Sequence, residues 1–186
     1  IGRYAYQWAV MTAELRAALD TFSLRGGNVV TEWDGASIFG SGYHGTYRYA
    51  AGAPAPLGWF PFLTGGGNSL VTNTPVAQTV PADPVFAGVP NPFRGNGGTE
   101  YFFTMYPAQV GGDTRLRTLG TFRGNGTAEF PNQDLPVISR GVRCGGNVIF
   151  ASMDWQDEPT AAGGLSAFVL SLARAATQVP PAGLTD

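Results

Sequence analysis

Lysine is missing from this sequence, and all 11 basic residues are Arg. Charge of either sign is scarce: 13% of residues are Asp, Glu, Lys or Arg, and the formal net charge is -2. That charged share is about half of what a soluble domain usually carries. With a pI near 5.3 there is no basic footprint for nucleic acid, so that class of partner is excluded. There is one cysteine, Cys144, which rules out an internal disulfide and a Cys-based metal cluster. Placed on a strand, it reads as a small buried hydrophobe. There is one histidine, His44, without a second His or Cys nearby in sequence. The longest apolar run, around 165–176, is broken by Ser166, Ser171 and Arg174. It falls short of the roughly 20 residues of a membrane span. No signal peptide is visible and residue 1 is Ile, so we expect the gene product to start elsewhere.

What is abundant is glycine (27), proline (14) and aromatic side chains, 12% of the chain. A hydrophobic share of 44% with mean hydropathy of -0.01 is that of a globular chain. At 186 residues it is expected to be one domain with a real core. A surface built on Gly, Asn, Thr and Tyr instead of Lys and Glu suits an extracellular or periplasmic protein, with the cytoplasm as the alternative. It equally suits a protein covered by partner subunits.

The first pieces of the chain form a unit. Residues 4–10, "YAYQWAV", read as a short apolar strand. Thr12 is a good helix N-cap and Glu14 sits early in the first turn, where the helix dipole favours an acid. Leu15, Ala18, Leu19 and Phe22 then fall at helical spacing and predict one buried stripe. Gly26-Gly27 ends the helix, and "NVVTEW" follows as a strand. Strand, helix, double glycine, strand is a βαβ unit, so its two strands are expected to be parallel with a right-handed crossover.

Residues 40–98 are dense in Gly, Pro, Asn and Thr and are too long for a plain connection. They are expected to be an elaborated insertion in which "GWFPFLTGGGN" and "PNPFRGNGG" are loops around aromatic anchors. Within it "NSLVTNT" is a candidate strand and "DPVFAGVP" a turn leading into a short helical piece. Further on, "TEYFFTMYP", "TRLRTLGTF", "LPVISRGV" and "GGNVIFASMDW" read as strands, with "RCGGN" as a tight hairpin between the last two. "TAAGGLSAFVLSLARAAT" closes the set as an apolar helix with Leu165, Phe168, Val169 and Leu172 on one face.

The order of these pieces resembles the class I glutamine amidotransferase-like superfamily, and especially its trehalose-utilisation-like (ThuA-like) branch. The resemblance is carried by "AELRAALDTFSLRGGNVVTEW", "DPVFAGVP", "TEYFF", "LRTLGTF" and "PVISRGVRCGGNVIFASMDWQD", followed by a helix. It covers about two-thirds of the chain and rests on pattern order. It implies an α/β, flavodoxin-like sandwich with a mostly parallel central sheet and flanking helices. On that comparison residues 1–186 form a single domain that lacks the first βαβ segment such folds open with, so a sheet edge is expected to be covered by another chain.

The resemblance also implies where chemistry would sit. Working amidotransferases carry a Cys on the sharp turn after the strand matching "NVVTEW", with a His and an acid later. Here the turn reads "WDGAS", Cys144 lies in the late hairpin, and Asp154-Trp155 stands where the late His is expected. A Cys–His pair requires both members within hydrogen-bond reach, and this sequence offers none. Nor is there a Gly-x-Ser-x-Gly elbow around Ser37, or a Lys in "GGGN" or "GNGG" to make a phosphate loop.

Carboxylates and aromatics remain. Glu32, Trp33 and Asp34 fall at the carboxyl end of one expected strand, and Asp154, Trp155 and Asp157 at the end of another. In open α/β sheets ligands bind there, so Glu32, Asp34 and Asp154 are the catalytic candidates. The ligand-binding candidates are Glu32, Trp33, Asp34, His44, Asp154, Trp155 and Asp157. Paired carboxylates beside Trp suit a sugar cleft. The competing reading is that Asp34 and Asp157 cap turns while the Trp residues plug the top of the sheet. "DWQDE" does not match a calcium loop, so neither metal nor other cofactor is expected. The sequence therefore predicts a non-catalytic ThuA-like domain acting as a binding or structural subunit among protein partners or copies of itself. The alternative is a protein that binds or hydrolyses carbohydrate.

Overall fold

The computed structural model describes residues 12–43, 57–65, 74–94, 104–105, 115–127, 130–153 and 164–180. The expected strand at 4–10, the candidate strand around 68–74 and most of "TEYFFTMYP" lie outside them.

Helix α1 spans Ala13–Leu24. Thr12 caps it, its hydroxyl oxygen accepting from the Leu15 N–H at 3.2 Å. The helix ends as its double glycine requires. Gly26 takes a positive φ of 77°, and the Gly26 and Gly27 N–H groups donate back to Ser23 and Phe22 carbonyls at 2.9 and 3.0 Å. That closing turn delivers the chain into β1 (Val29–Glu32), which leads straight into a 3-10 helix, Trp33–Ile38.

Short strands β2 (Gly42–Tyr43), β3 (Leu63–Gly65) and β4 (Ala77–Gln78) follow. A second 3-10 turn, Pro84–Phe86, is capped by Asp83 and carries Pro at its start, the arrangement that "DPVF" encodes. Then come β5 (Thr104–Met105), β6 (Leu116–Arg123), β7 (Asp134–Arg143), β8 (Gly146–Ala151) and helix α2 (Leu165–Ala175).

The main sheet has the order β1-β8-β7-β6-β4, and a small sheet the order β2-β3-β5. β1 runs parallel to β8, with Val29 opposite Val148 and Glu32 opposite Ala151. The other three pairings of the main sheet, β8–β7, β7–β6 and β6–β4, are antiparallel. The α/β class therefore holds, but the expected mostly parallel sheet gives way to a mixed one. The physical cause lies in the connections: β7 and β8 are joined by the two-residue turn Cys144-Gly145, and so short a loop can only return the chain antiparallel. Cys144, expected as a buried hydrophobe, is exposed on that turn at φ 50°.

Each face of the sheet carries an apolar cluster. On one, Ile138, Ile149 and Ala151 pack with Val85, Phe93 and, from α2, Phe168 and Leu172. With Val169, which packs against the same cluster while partly buried, they are three of the four residues of the face read from the sequence. On the other, Val148 and Phe150 pack with Phe39, Trp59, Phe60 and Phe62, and Leu19 of α1 joins at the margin. Phe150 lies edge-on to both Phe60 and Phe62, with centroids 5.6 and 5.0 Å away, a favoured aromatic arrangement. Here the aromatic anchors of "GWFPFL" do what the sequence suggested. The stripe on α1 does not: Leu15 is 41% exposed and Phe22 50% exposed.

A buried polar network fastens the elements beneath the first cluster. Arg140 of β7 donates to Asp83 Oδ1 at 2.7 Å and to Asn147 Oδ1 at 2.9 Å. The ion pair is 1% and 2% exposed at its two side chains. Asp83 Oδ1 also accepts from the Val85 N–H. Asn147 in turn donates to the Gln178 carbonyl beyond α2, and its own N–H donates to Asn28 Oδ1 ahead of β1. Arg140 and Asn147 together thereby tie the β7–β8 hairpin to the Asp83 turn, to Asn28 ahead of β1 and to Gln178 beyond α2.

Candidate functional site

The carboxyl end of β1 is the place the sequence singled out, and its geometry is unusual. Directly after Glu32 the backbone turns sharply: Trp33 takes φ 45°, a left-handed conformation uncommon for a bulky residue. The Trp33 N–H donates to the Met153 carbonyl at 3.3 Å, so the turn is stitched to the chain leaving β8. Strand, strained residue and helical turn in succession form an elbow, the device that enzymes use to lift a nucleophile clear of a sheet.

Here the elbow residue points into the protein instead. Trp33 is 1% exposed, and Glu32 beside it is also 1% exposed. Ala36, Ser37, Ile38 and Phe39 of the 3-10 helix and its cap are fully buried. The Phe39 ring packs against Trp59, tilted at 45° with centroids 4.5 Å apart. Trp59 is itself fixed by Asp20 Oδ1, which accepts from its indole N–H at 2.7 Å, and by the Arg143 guanidinium 4.2 Å above its ring.

Of the candidate residues, the structure brings Glu32, Trp33 and Asp34 together at the end of β1, next to the end of β8. Asp34 lies within the 3-10 helix Trp33–Ile38. His44, Asp154, Trp155 and Asp157 lie outside the described residues, although Met153, immediately before Asp154 in sequence, is the β1 turn's hydrogen-bond partner. The sequence reading passed over Thr31 and Ser152 at the same sheet end. Both hydroxyls are buried without a hydrogen-bond partner. Position alone could have drawn attention to them, since they sit just before the two turns. Among the described residues no group of three or more His, Cys, Asp or Glu could hold a metal ion. No helix among them is long and apolar enough to cross a membrane.

The elements define an α/β protein with helices over both faces of a mixed sheet and an elbow at the end of a parallel strand. Solved ThuA-like proteins have the same fold. One from Bacteroides uniformis ATCC 8492 superposes with a TM-score of 0.60 at 15% identity, over 89% of this chain and 64% of that one. Another, from Parabacteroides merdae ATCC 43184, gives a TM-score of 0.55 at 14% identity, over 91% of this chain and 69% of that one. The chain thus spans about two-thirds of the length of these proteins. At such identities the likeness is one of fold. No family model matches the sequence, and no curated protein does.

Proposed function

We propose that this chain is a non-catalytic domain of ThuA-like, amidotransferase-like type that serves as a binding or structural subunit of an assembly. The observation that carries the reading is Trp33. An elbow is useful to an enzyme because strain presents a reactive side chain to substrate, and this one presents a buried indole. The neighbours that would have to be reached, Glu32 and Ser37, are buried as well. The apolar residues that α1 leaves in solvent, Leu15, Phe22 and Leu24 at 41%, 50% and 61% exposure, favour an assembled state over a free one, because apolar surface gains by being covered.

Carbohydrate binding or hydrolysis through Glu32, Asp34, Asp154 and the adjacent Trp33 and Trp155 is the competing reading. It needs a carboxyl group and an indole that a sugar can touch, and the burial of Glu32 and Trp33 speaks against it. Glycan-binding and glycosidase assays on the wild type, Glu32→Gln and Asp154→Asn decide between the two. The proposal expects neither variant to change any binding or turnover. Sugar binding or hydrolysis that disappears in both variants while the fold persists would sink it.

A further inference from the structure

Asn125 lies in the turn between β6 and β7, followed by Gly126 and Thr127, all three exposed. Its side-chain carbonyl is held by two donors. The Thr127 N–H reaches Asn125 Oδ1 at 3.1 Å and the Thr127 hydroxyl reaches the same oxygen at 2.9 Å. The arrangement has a chemical consequence. Two donors on one amide oxygen draw electron density from Cγ and stabilise the oxyanion that forms when a nucleophile adds there. The nearest nucleophile in the chain is the backbone nitrogen of the next residue. That residue is glycine, without a Cβ to crowd the approach.

We propose that Asn125–Gly126 is a site of intramolecular modification, at which the protein converts its own asparagine to aspartate and isoaspartate. The Gly126 nitrogen gives its proton to hydroxide and attacks Asn125 Cγ. The N–Cγ bond forms, the Cγ–Nδ2 bond breaks, and the amide nitrogen departs as ammonia after taking a proton from water. Water then opens the resulting five-membered imide at either carbonyl. Opening at the side-chain carbonyl regenerates a normal backbone bearing aspartate. Opening at the main-chain carbonyl routes the backbone through the side chain, as isoaspartate.

Two features set the timing and the effect. The Gly126 N–H donates to the Phe130 carbonyl at 2.8 Å, so that bond must open before the nitrogen can lose its proton. Attack is gated by opening of the turn. The same turn seats Phe130, whose N–H donates to the Thr127 hydroxyl at 3.1 Å. The Phe130 ring is fully buried and packs edge-on to Phe122 at 5.9 Å. An isoaspartate adds a backbone atom ahead of this anchor and draws Thr127 and Phe130 out of register. The modification therefore reports itself as lost stability as well as gained charge.

The test is incubation of the folded full chain at mildly alkaline pH, followed by cleavage at arginine and mass analysis. Cleavage after Arg123 and Arg140 releases Asn125 in its own peptide, separate from Asn96–Gly97, which leaves in the peptide ending at Arg115. Fragmentation places the change at Asn125 or Asn132. The expected result is conversion at Asn125 in the folded protein, with isoaspartate detectable by enzymatic methylation. Conversion should slow in Thr127→Val when folded and match the wild type when both are unfolded in denaturant. Asn125→Asp should show no further gain of mass at this position. Retention of intact Asn125 in the folded chain, while the unfolded chain converts, would overturn the proposal. So would a folded Thr127→Val variant that converts as fast as the wild type or faster.

Discussion

Replacing Arg140 with Met tests whether the buried network holds the sheet to its covering turns. The substitution keeps an unbranched side chain of useful length inside the protein but removes the guanidinium. Asp83, whose side chain is 2% exposed, is left as a buried carboxylate that still accepts from the Val85 N–H. Asn147 Oδ1 loses its bond from Arg140 too. Removing one partner of a buried ion pair costs about 3–5 kcal/mol, a large part of the 5–15 kcal/mol by which domains are stable. With a urea slope of about 2 kcal/mol per molar, the unfolding midpoint should fall by about 1.5–2.5 M at unchanged slope. The double variant Arg140→Met with Asp83→Asn carries no buried charge and retains an oxygen to cap Val85. It should therefore be more stable than Arg140→Met alone, a coupling that a double-mutant cycle reads directly. A loss below about 1 kcal/mol in the single variant, or no recovery in the double one, would refute the reasoning.

Two further outcomes follow from local geometry. Trp33→Ala should cost about 3–5 kcal/mol through the cavity it leaves. Trp33→Gly should be no worse than Ala, because glycine accepts a φ of 45° without the strain that a Cβ brings; chemical denaturation of both ranks them, and a clearly less stable Gly variant would contradict the strained elbow. Glu14 titrates below the ordinary glutamate range, held there first by a backbone hydrogen bond at its own position and then by the Thr12 hydroxyl. A depressed folded pKa means its contribution to α1 is complete above the ordinary glutamate value and drains away as pH falls through the lowered one. In an NMR titration Thr12→Ala should bring the Glu14 pKa back up, and an unmoved value would remove the Thr12 hydroxyl from the explanation.

Local signals in the sequence were reliable where the cause is local. Thr12, Glu14 and Gly26-Gly27 mark α1 at both ends, Asp83-Pro84 marks its 3-10 turn, and "RCGGN" marks the β7–β8 hairpin. Each of these is fixed within a few residues by caps and turn chemistry. What failed depends on partners far along the chain. Sheet direction was taken from the resemblance, whereas it is set by which strands meet, and β7 and β8 meet through the two-residue turn Cys144-Gly145. Leu15 and Phe22 have helical periodicity, but periodicity cannot say whether anything stands opposite. Nothing in the sequence singles out Arg140 as half of a buried ion pair, since its partner Asp83 is 57 positions away. At the candidate site, the convergence of the β1 and β8 ends was legible from Glu32-Trp33-Asp34 and the run ahead of Asp154. The inward turn of Trp33 was one of two readings, that of a Trp plugging the top of the sheet, and nothing in "TEWDG" alone chose between a presented side chain and a buried one.

The central claim is that this is a non-catalytic subunit with a surface meant to be covered. Light scattering on the purified full chain across a range of concentrations tests it most directly. The account predicts a particle mass that is a multiple of the 19.5 kDa chain, reduced towards the single chain when Leu15 and Phe22 are both changed to Ser. A particle that stays at the mass of one chain at every concentration would contradict it.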